Sequence, residues 1–297
     1  MAAGIANDIK AYLGTLVHRS SNTRKAYQRD VAEFESYLRS LEIEAWHDVD
    51  ANLIRHYVTE KHRAGAHGRS LARVLSALRS LFKYLCANGT LRINPAVGVR
   101  PPKGERKLPR VLDVDQMSHL LEQDADKPID VRDRAMWELL YSSGLRVSEL
   151  VGLDLADLDL EAGQVRVLGK GSKERDVPVG RHALAAVRGW LGIRRDDGDA
   201  KAMFLNQRGK RLTARAVQQR LRQWARRYGV DGDVHPHMLR HSFASHMLES
   251  SGDLRAVQEL LGHANISTTQ VYTHLDFQHL AQVYDAAHPR ARKRRED

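Results

Sequence analysis

The chain has 297 residues, 42% hydrophobic and 28% charged, a balance that supports a packed core and excludes wholesale disorder. Lysine and arginine outnumber aspartate and glutamate by 47 to 37, and the resulting +10 charge favours an anionic partner, nucleic acid foremost. No run approaches the ~20 apolar residues of a membrane span, Met1–Lys10 does not read as a secretory signal, and Cys86 is the only cysteine, so a cytoplasmic protein without an intrachain disulfide is expected.

The length sets a prior of about two domains, and the first hundred residues read as helical throughout. Ile5, Ile9, Leu13 and Leu16 recur at helical spacing, as do Tyr27, Val31, Phe34 and Leu38. Ser21 is a candidate cap for the second helix. A third helix is predicted over Ala51 to Arg63 and a fourth over Ser70 to Leu85, with Leu71, Val74, Leu78, Leu81 and Leu85 on one stripe. Cys86 follows that stripe and reads as a buried small hydrophobe. Arg69, Arg73, Arg79 and Lys83 are expected on the remaining surface, where the three arginines become candidate DNA contacts.

Residues 100–110 carry Pro101, Pro102 and Pro109 with Gly104 and five basic side chains, which cannot sustain a helix or a central strand. This stretch is expected to link a first domain, 1–99, to a second, 111–297. Residues 1–104 hold 16 basic and 9 acidic side chains, so most of the excess charge sits in the smaller domain.

The second part reads as mixed. Helices are predicted over Asp113 to Leu121 and Val131 to Ser142. A strand over Gln164 to Val167 and its partner over Arg175 to Val179 flank the turn Gly169-Lys170-Gly171-Ser172. Helices then continue to His288. Ala200 to Val230 contains nine basic residues and no acidic one. Its apolar stripe is Val217, Leu221, Trp224 and Tyr228, so Arg215, Arg220, Arg222, Arg226 and Arg227 occupy the other faces. Arg215, Arg220 and Arg222 join the candidate DNA contacts. The basic tail Arg290 to Arg295 reads as a solvated end.

Four segments carry chemistry-bearing residues: Gly144-Leu145-Arg146-Val147-Ser148-Glu149-Leu150, the Lys170 turn, His237-Met238-Leu239-Arg240-His241, and Leu261-Gly262-His263 with Tyr272 nine residues after His263. Each has an ordinary explanation taken alone. Arg146 and Glu149 can pair locally, Lys170 can be a plain turn lysine, and Tyr272 can be half-buried core. Together they hold what metal-free cleavage of a phosphodiester demands. Two arginine forks can neutralise the phosphate oxygens. Histidine and lysine can move protons. A phenol with a pKa of about 10 becomes a usable nucleophile among such cations.

In that order and spacing, Arg146, Lys170, His237, Arg240, His263 and Tyr272 resemble the active site of the tyrosine recombinases, the lambda integrase family. The likeness covers essentially the whole chain and is greatest to the bacterial Xer group. It implies a mainly α fold with a small β-sheet. A SAM-like core-binding domain of four to five helices would precede a mixed α/β catalytic domain, the two clamping double-stranded DNA. It also implies Tyr272 as nucleophile forming a 3′-phosphotyrosyl link, Arg146 and Arg240 on the phosphate, and Lys170 as proton donor to the leaving oxygen. His237 and His263 would orient the phosphate, with no metal, cofactor or ATP. The partners implied are a XerD-like recombinase in a heterotetramer on a dif-type site and an FtsK-type translocase, with chromosome dimer resolution before cell division as the outcome. Phe277 to Tyr284 would be free to dock on a neighbouring protomer. Three alternatives stay open: a phage or integron integrase or a XerD-like recombinase, a DNA-binding regulator without chemistry, and a zinc hydrolase using His235, His237 and His241.

Overall fold

The structure, a computed structural model, describes residues 3–101, 111–169, 174–195, 198–262 and 274–290, with side chains in the last segment from residue 280 onward. The chain divides into two compact units, Met1–Lys107 and Leu108–Asp297.

The first unit is helical among its described residues: α1 (Ala3–Thr15), α2 (Ser21–Ser40), α3 (Ala51–Arg63) and α4 (Gly68–Ala87). Ser20, not Ser21, caps α2, its hydroxyl accepting from the Thr23 amide at 3.3 Å. Asp50 does the same for α3, accepting from the Leu53 amide at 2.8 Å. These caps satisfy amide donors that the first helical turn leaves without partners. The apolar stripe of α4 is fully buried at Leu71, Leu75, Leu78, Leu81, Phe82 and Leu85, against Phe34, Leu38, Ile54 and Tyr57. Each such side chain contributes about 1.5–3 kcal/mol, so this stripe dominates the unit's stability. Cys86, at the edge of the stripe, is only half-buried.

Two of the arginines expected on that surface serve the fold instead. Arg73 binds the buried carboxylate of Asp30 on α2. Arg79 donates to the carbonyl oxygens of Ala96 at 3.1 Å and Val99 at 2.5 Å, tying the segment after α4 back onto the helix. A buried carboxylate and two inward carbonyls need donors, and the helix supplies the nearest ones. Arg69 is exposed.

The second unit contains α5 (Val114–Leu121), α6 (Pro128–Ser142), α7 (Val147–Gly152), β1 (Leu158–Asp159), β2 (Gln164–Leu168), β3 (Glu174–Pro178), α8 (Arg181–Leu191), α9 (Ala214–Arg227), α10 (Pro236–Ser251), α11 (Leu254–Leu260) and α12 (His274–Ala287). The strands form an antiparallel sheet in the order β1-β2-β3, with Val165 opposite Val177 and Val167 opposite Arg175. The two-residue β1 escapes sequence reading because so short a strand has no period.

Helix α6 is the centre of this unit. It packs against α8, α9 and α10, and Trp137, Leu139, Leu140 and Tyr141 are fully buried. So are its charged residues Asp130, Arg132, Asp133 and Glu138. Their partners explain the one-signed helix α9. Arg220 donates to Asp133 at 2.5 Å, Arg227 to Asp130 at 3.0 Å, and Arg222 meets the exposed Asp233 at 2.7 Å. The missing acids lie on other elements, so Arg220 in particular is a structural tie rather than a free contact. Arg215 is exposed.

The tail also departs from expectation. Arg290 is 6% exposed and binds both Glu138 oxygens, with 3.0 Å from its Nε, and Glu122 at 2.9 Å. It is a buried anchor; residues 291–295 lie outside the described residues. Helix α12 buries Leu280, Tyr284 and Ala287 in the core of its own unit. The Tyr284 hydroxyl lies 2.6 Å from Ser142 Oγ. Leu280 and Tyr284 are therefore already occupied at home, and not free to seat on a neighbouring copy without leaving that core.

Candidate active site

The site is built where α6 stops. Ser142 ends the helix, and Gly144 turns the chain with a φ of 55°. A Cβ here would stand 2.4 Å from the Phe243 ring, so both the left-handed backbone and the close approach require glycine. The turn delivers Arg146 as the N-cap of α7. Glu149, three residues on, accepts from the Arg146 amide at 2.9 Å and from its guanidinium at 2.7 Å.

The Glu149 carboxylate gathers two further arginines. Arg175 on β3 meets it with a parallel fork, Nη1 to Oε1 at 3.0 Å and Nη2 to Oε2 at 3.1 Å. Arg240 on α10 places Nη1 4.0 Å from Oε2. Arg240 donates to the carbonyl oxygens of Gly144 and Leu261, each at 2.5 Å. Three successive carbonyls at the end of α11 thus accept from three different arginines. Leu260 takes Arg175 at 3.4 Å, Leu261 takes Arg240, and Gly262 takes Arg146 at 3.4 Å. The electronegative end of a helix favours such cations.

The charges are arranged accordingly. Burial pushes the Glu149 carboxyl up, but the hydrogen bonds and charge of Arg175, then Arg146, outweigh it and hold the group below the usual carboxylate range. Burial lowers Arg240 to about 10, with Arg146 adding to the effect, so it stays protonated at neutral pH. His237 stands one turn before Arg240 on α10 and is exposed. Partial burial, then His235, His241, Arg240 and Arg146, hold its imidazole below the ordinary value.

His237 is therefore neutral at pH 7 without a bound anion. Its folded value lies below the unfolded one of about 6.5, so protonation favours the unfolded chain. Stability from this residue is present above pH 6.5 and falls as the pH drops below it. An NMR titration of the ring should give a midpoint below 6.5; a midpoint at or above that value would contradict this electrostatic picture.

Of the six predicted site residues, Arg146, His237 and Arg240 come together here. Lys170, His263 and Tyr272 lie outside the described residues. The chain enters the His263 segment directly from Gly262, however, and Lys170 falls in the connection between β2 and β3. Glu149 and Arg175 were not singled out as site residues. The signal for Arg175 was its register: it shares a sheet face with Val165, Val167 and Val177, where an arginine needs a buried acceptor. His235 caps α10 through Nδ1, which accepts from the Met238 amide at 3.2 Å. Among the described residues no three His, Cys, Asp or Glu side chains gather as a metal ligand set.

Comparison with known proteins places the chain in a family. The phage integrase family matches residues 110–279, and the N-terminal SAM-like domain of phage integrases matches residues 9–89. Tyrosine recombinase XerC of Escherichia coli O127:H6 is 52% identical over 290 residues, covering 96% of this chain and 97% of the relative. XerC of Shigella flexneri is 53% identical with the same coverage. The XerA recombinase crystal structure is 27% identical with a TM-score of 0.51, covering 94% of this chain and 97% of that one. XerH bound to a palindromic difH substrate, in a post-cleavage complex, shares the fold with a TM-score of 0.70 at 24% identity, covering 88% and 79%. The chain belongs to the phage integrase family and is a tyrosine recombinase, a site-specific DNA recombinase.

Proposed function

We propose that this recombinase cuts and rejoins double-stranded DNA through a 3′-phosphotyrosyl intermediate on Tyr272, acting with a XerD-like partner on dif-type sites. The observation that carries the reading is the convergence of Arg146 and Arg240 on Glu149 and on the turn that leads into His263. In this mechanism the two guanidinium forks bind the non-bridging oxygens of the scissile phosphate and meet the charge that builds in the transition state. The Tyr272 oxygen attacks phosphorus as its phenol proton passes to the histidines of the site, the bond to the 5′ oxygen breaks, and that oxygen takes a proton from Lys170. His237 and His263 donate hydrogen bonds to the phosphate. The covalent link keeps the bond energy, so a 5′ hydroxyl from another strand reseals the backbone without ATP.

Support for the partnership is the high identity to XerC over nearly the full chain. Two copies with two XerD-like subunits would exchange strands between duplexes, switched on by an FtsK-type translocase in the cytoplasm, and so separate chromosome dimers before division. The reading includes a linker over residues 100–110 between a core-binding domain, 1–99, and a catalytic domain, 111–297. Exposed Arg69 and Arg215 remain its candidate phosphate contacts.

The test is a nicked suicide duplex carrying a dif-type site, incubated with the XerD-like partner in excess EDTA. A covalent adduct should form, and peptide mapping should find the 3′ phosphate on Tyr272. Attachment at another residue, or an adduct that requires a divalent cation, would overturn the mechanism.

A further inference from the structure

We infer that Arg175 is a positioning residue, one that fixes β3, the strand that follows Lys170 in the chain, against the carboxylate that holds Arg146. The inference rests on the proposed role of Lys170 as proton donor. Strands β2 and β3 pair up to Leu168 and Glu174, the residues that bracket Lys170 in the sequence. Arg175 is the next residue after that pair. Its side chain, 11% exposed, turns inward and makes three hydrogen bonds to two groups of the site.

Two bonds form the parallel fork to Glu149, the carboxylate that also holds Arg146. A planar fork against a carboxylate fixes orientation as well as distance, which a lysine cannot do. The third runs to the Leu260 carbonyl, beside the carbonyl that takes Arg240. Gly262 leaves room for this guanidinium: a Cβ there would lie 3.0 Å from Arg175 Cζ and Nε. If packing alone mattered at this register, another valine would continue the face made by Val165, Val167 and Val177. Arg175 instead connects the hairpin to the helix ends that hold the other two arginines. A general acid must meet its oxygen within hydrogen-bond reach, so a hairpin loosened from this tie loses proton transfer before it loses phosphate binding.

The sulfur-substituted substrate separates these steps. In a suicide duplex whose scissile 5′ oxygen is replaced by sulfur, the P–S bond breaks and the thiolate leaves without a proton. Arg175→Gln should cleave the ordinary dif-type duplex about 100-fold or more slower than wild type, the usual worth of a general acid. It should recover to within about tenfold on the sulfur duplex, at unchanged DNA affinity. Lys170→Ala should behave alike. Arg175→Lys, which keeps the charge and loses the fork, is read the same way should the glutamine variant fold poorly. A variant equally slow on both duplexes, while Lys170→Ala is recovered by sulfur, overturns the role of Arg175 and leaves the proposed function standing. Undiminished cleavage of the ordinary duplex overturns it too. Lys170→Ala left unrecovered by sulfur overturns the proton-donor reading and this inference with it.

Discussion

Arg240→Ala should slow covalent DNA cleavage by about 10²–10³-fold and destabilise the catalytic unit by about 3–5 kcal/mol. Both effects have one cause. The Arg240 side chain is 9% exposed and supplies donors to the Gly144 and Leu261 carbonyls. Truncation leaves two buried carbonyl acceptors short of a partner and removes one cation from beside Glu149. Under the proposed mechanism it also removes a donor from the phosphate as charge develops. Urea unfolding and single-turnover cleavage of a suicide duplex check the two parts separately. Arg240→Lys discriminates between them: it restores charge but cannot reach two carbonyls with a fork, so cleavage should recover only in part. A fully active, fully stable alanine variant would show that Arg146 alone suffices.

Arg290→Ala should have the largest purely structural effect, again about 3–5 kcal/mol. Arg290 joins Glu138 in the interior of α6 to Glu122 just beyond α5. Glu138 is 3% exposed, so removing its partner strands a carboxylate that water cannot reach. The stranded group escapes only by taking a proton. The variant should therefore lose less stability relative to wild type as the pH is lowered toward 4 than at pH 7, and Glu138→Gln in the Arg290→Ala background should recover part of the loss. A loss below about 1 kcal/mol at pH 7 would mean that the pair behaves as an exposed surface contact.

These two arginines mark where sequence reading stops. Local signals served well: the bounds of α3, the span of α5 and the pairing of β2 with β3 follow from periodicity. Arg146 and Arg240 were legible as a candidate pair because their spacing matches a family pattern. What an arginine does with its charge was not legible, because its partner is distant in sequence. Arg73 finds Asp30 across 43 residues, Arg220 finds Asp133 across 87, and Arg290 finds Glu138 across 152. A run of cations without acids, as on α9, looks like a docking face until the buried acids of α6 are set beside it. Arg175 was missed for the same reason: its acceptors are 26 and 85 residues away. Glu149 was read as a local pair with Arg146, whereas it is the hub for three cations.

The carbonyls of Leu261 and Gly262, which accept from Arg240 and Arg146, bear on how tightly the resting enzyme grips its substrate. Cations already supplied with oxygen exchange one acceptor for another when a phosphodiester arrives, and an exchange releases little free energy. Tight hold on the duplex must then come from the many phosphates flanking the cut, while the reacting one is gripped hardest only as it becomes pentavalent. Under the proposed mechanism, an enzyme so built would bind its crossover point loosely and reserve its strongest attraction for the moment of bond exchange, which suits a reaction run in both directions.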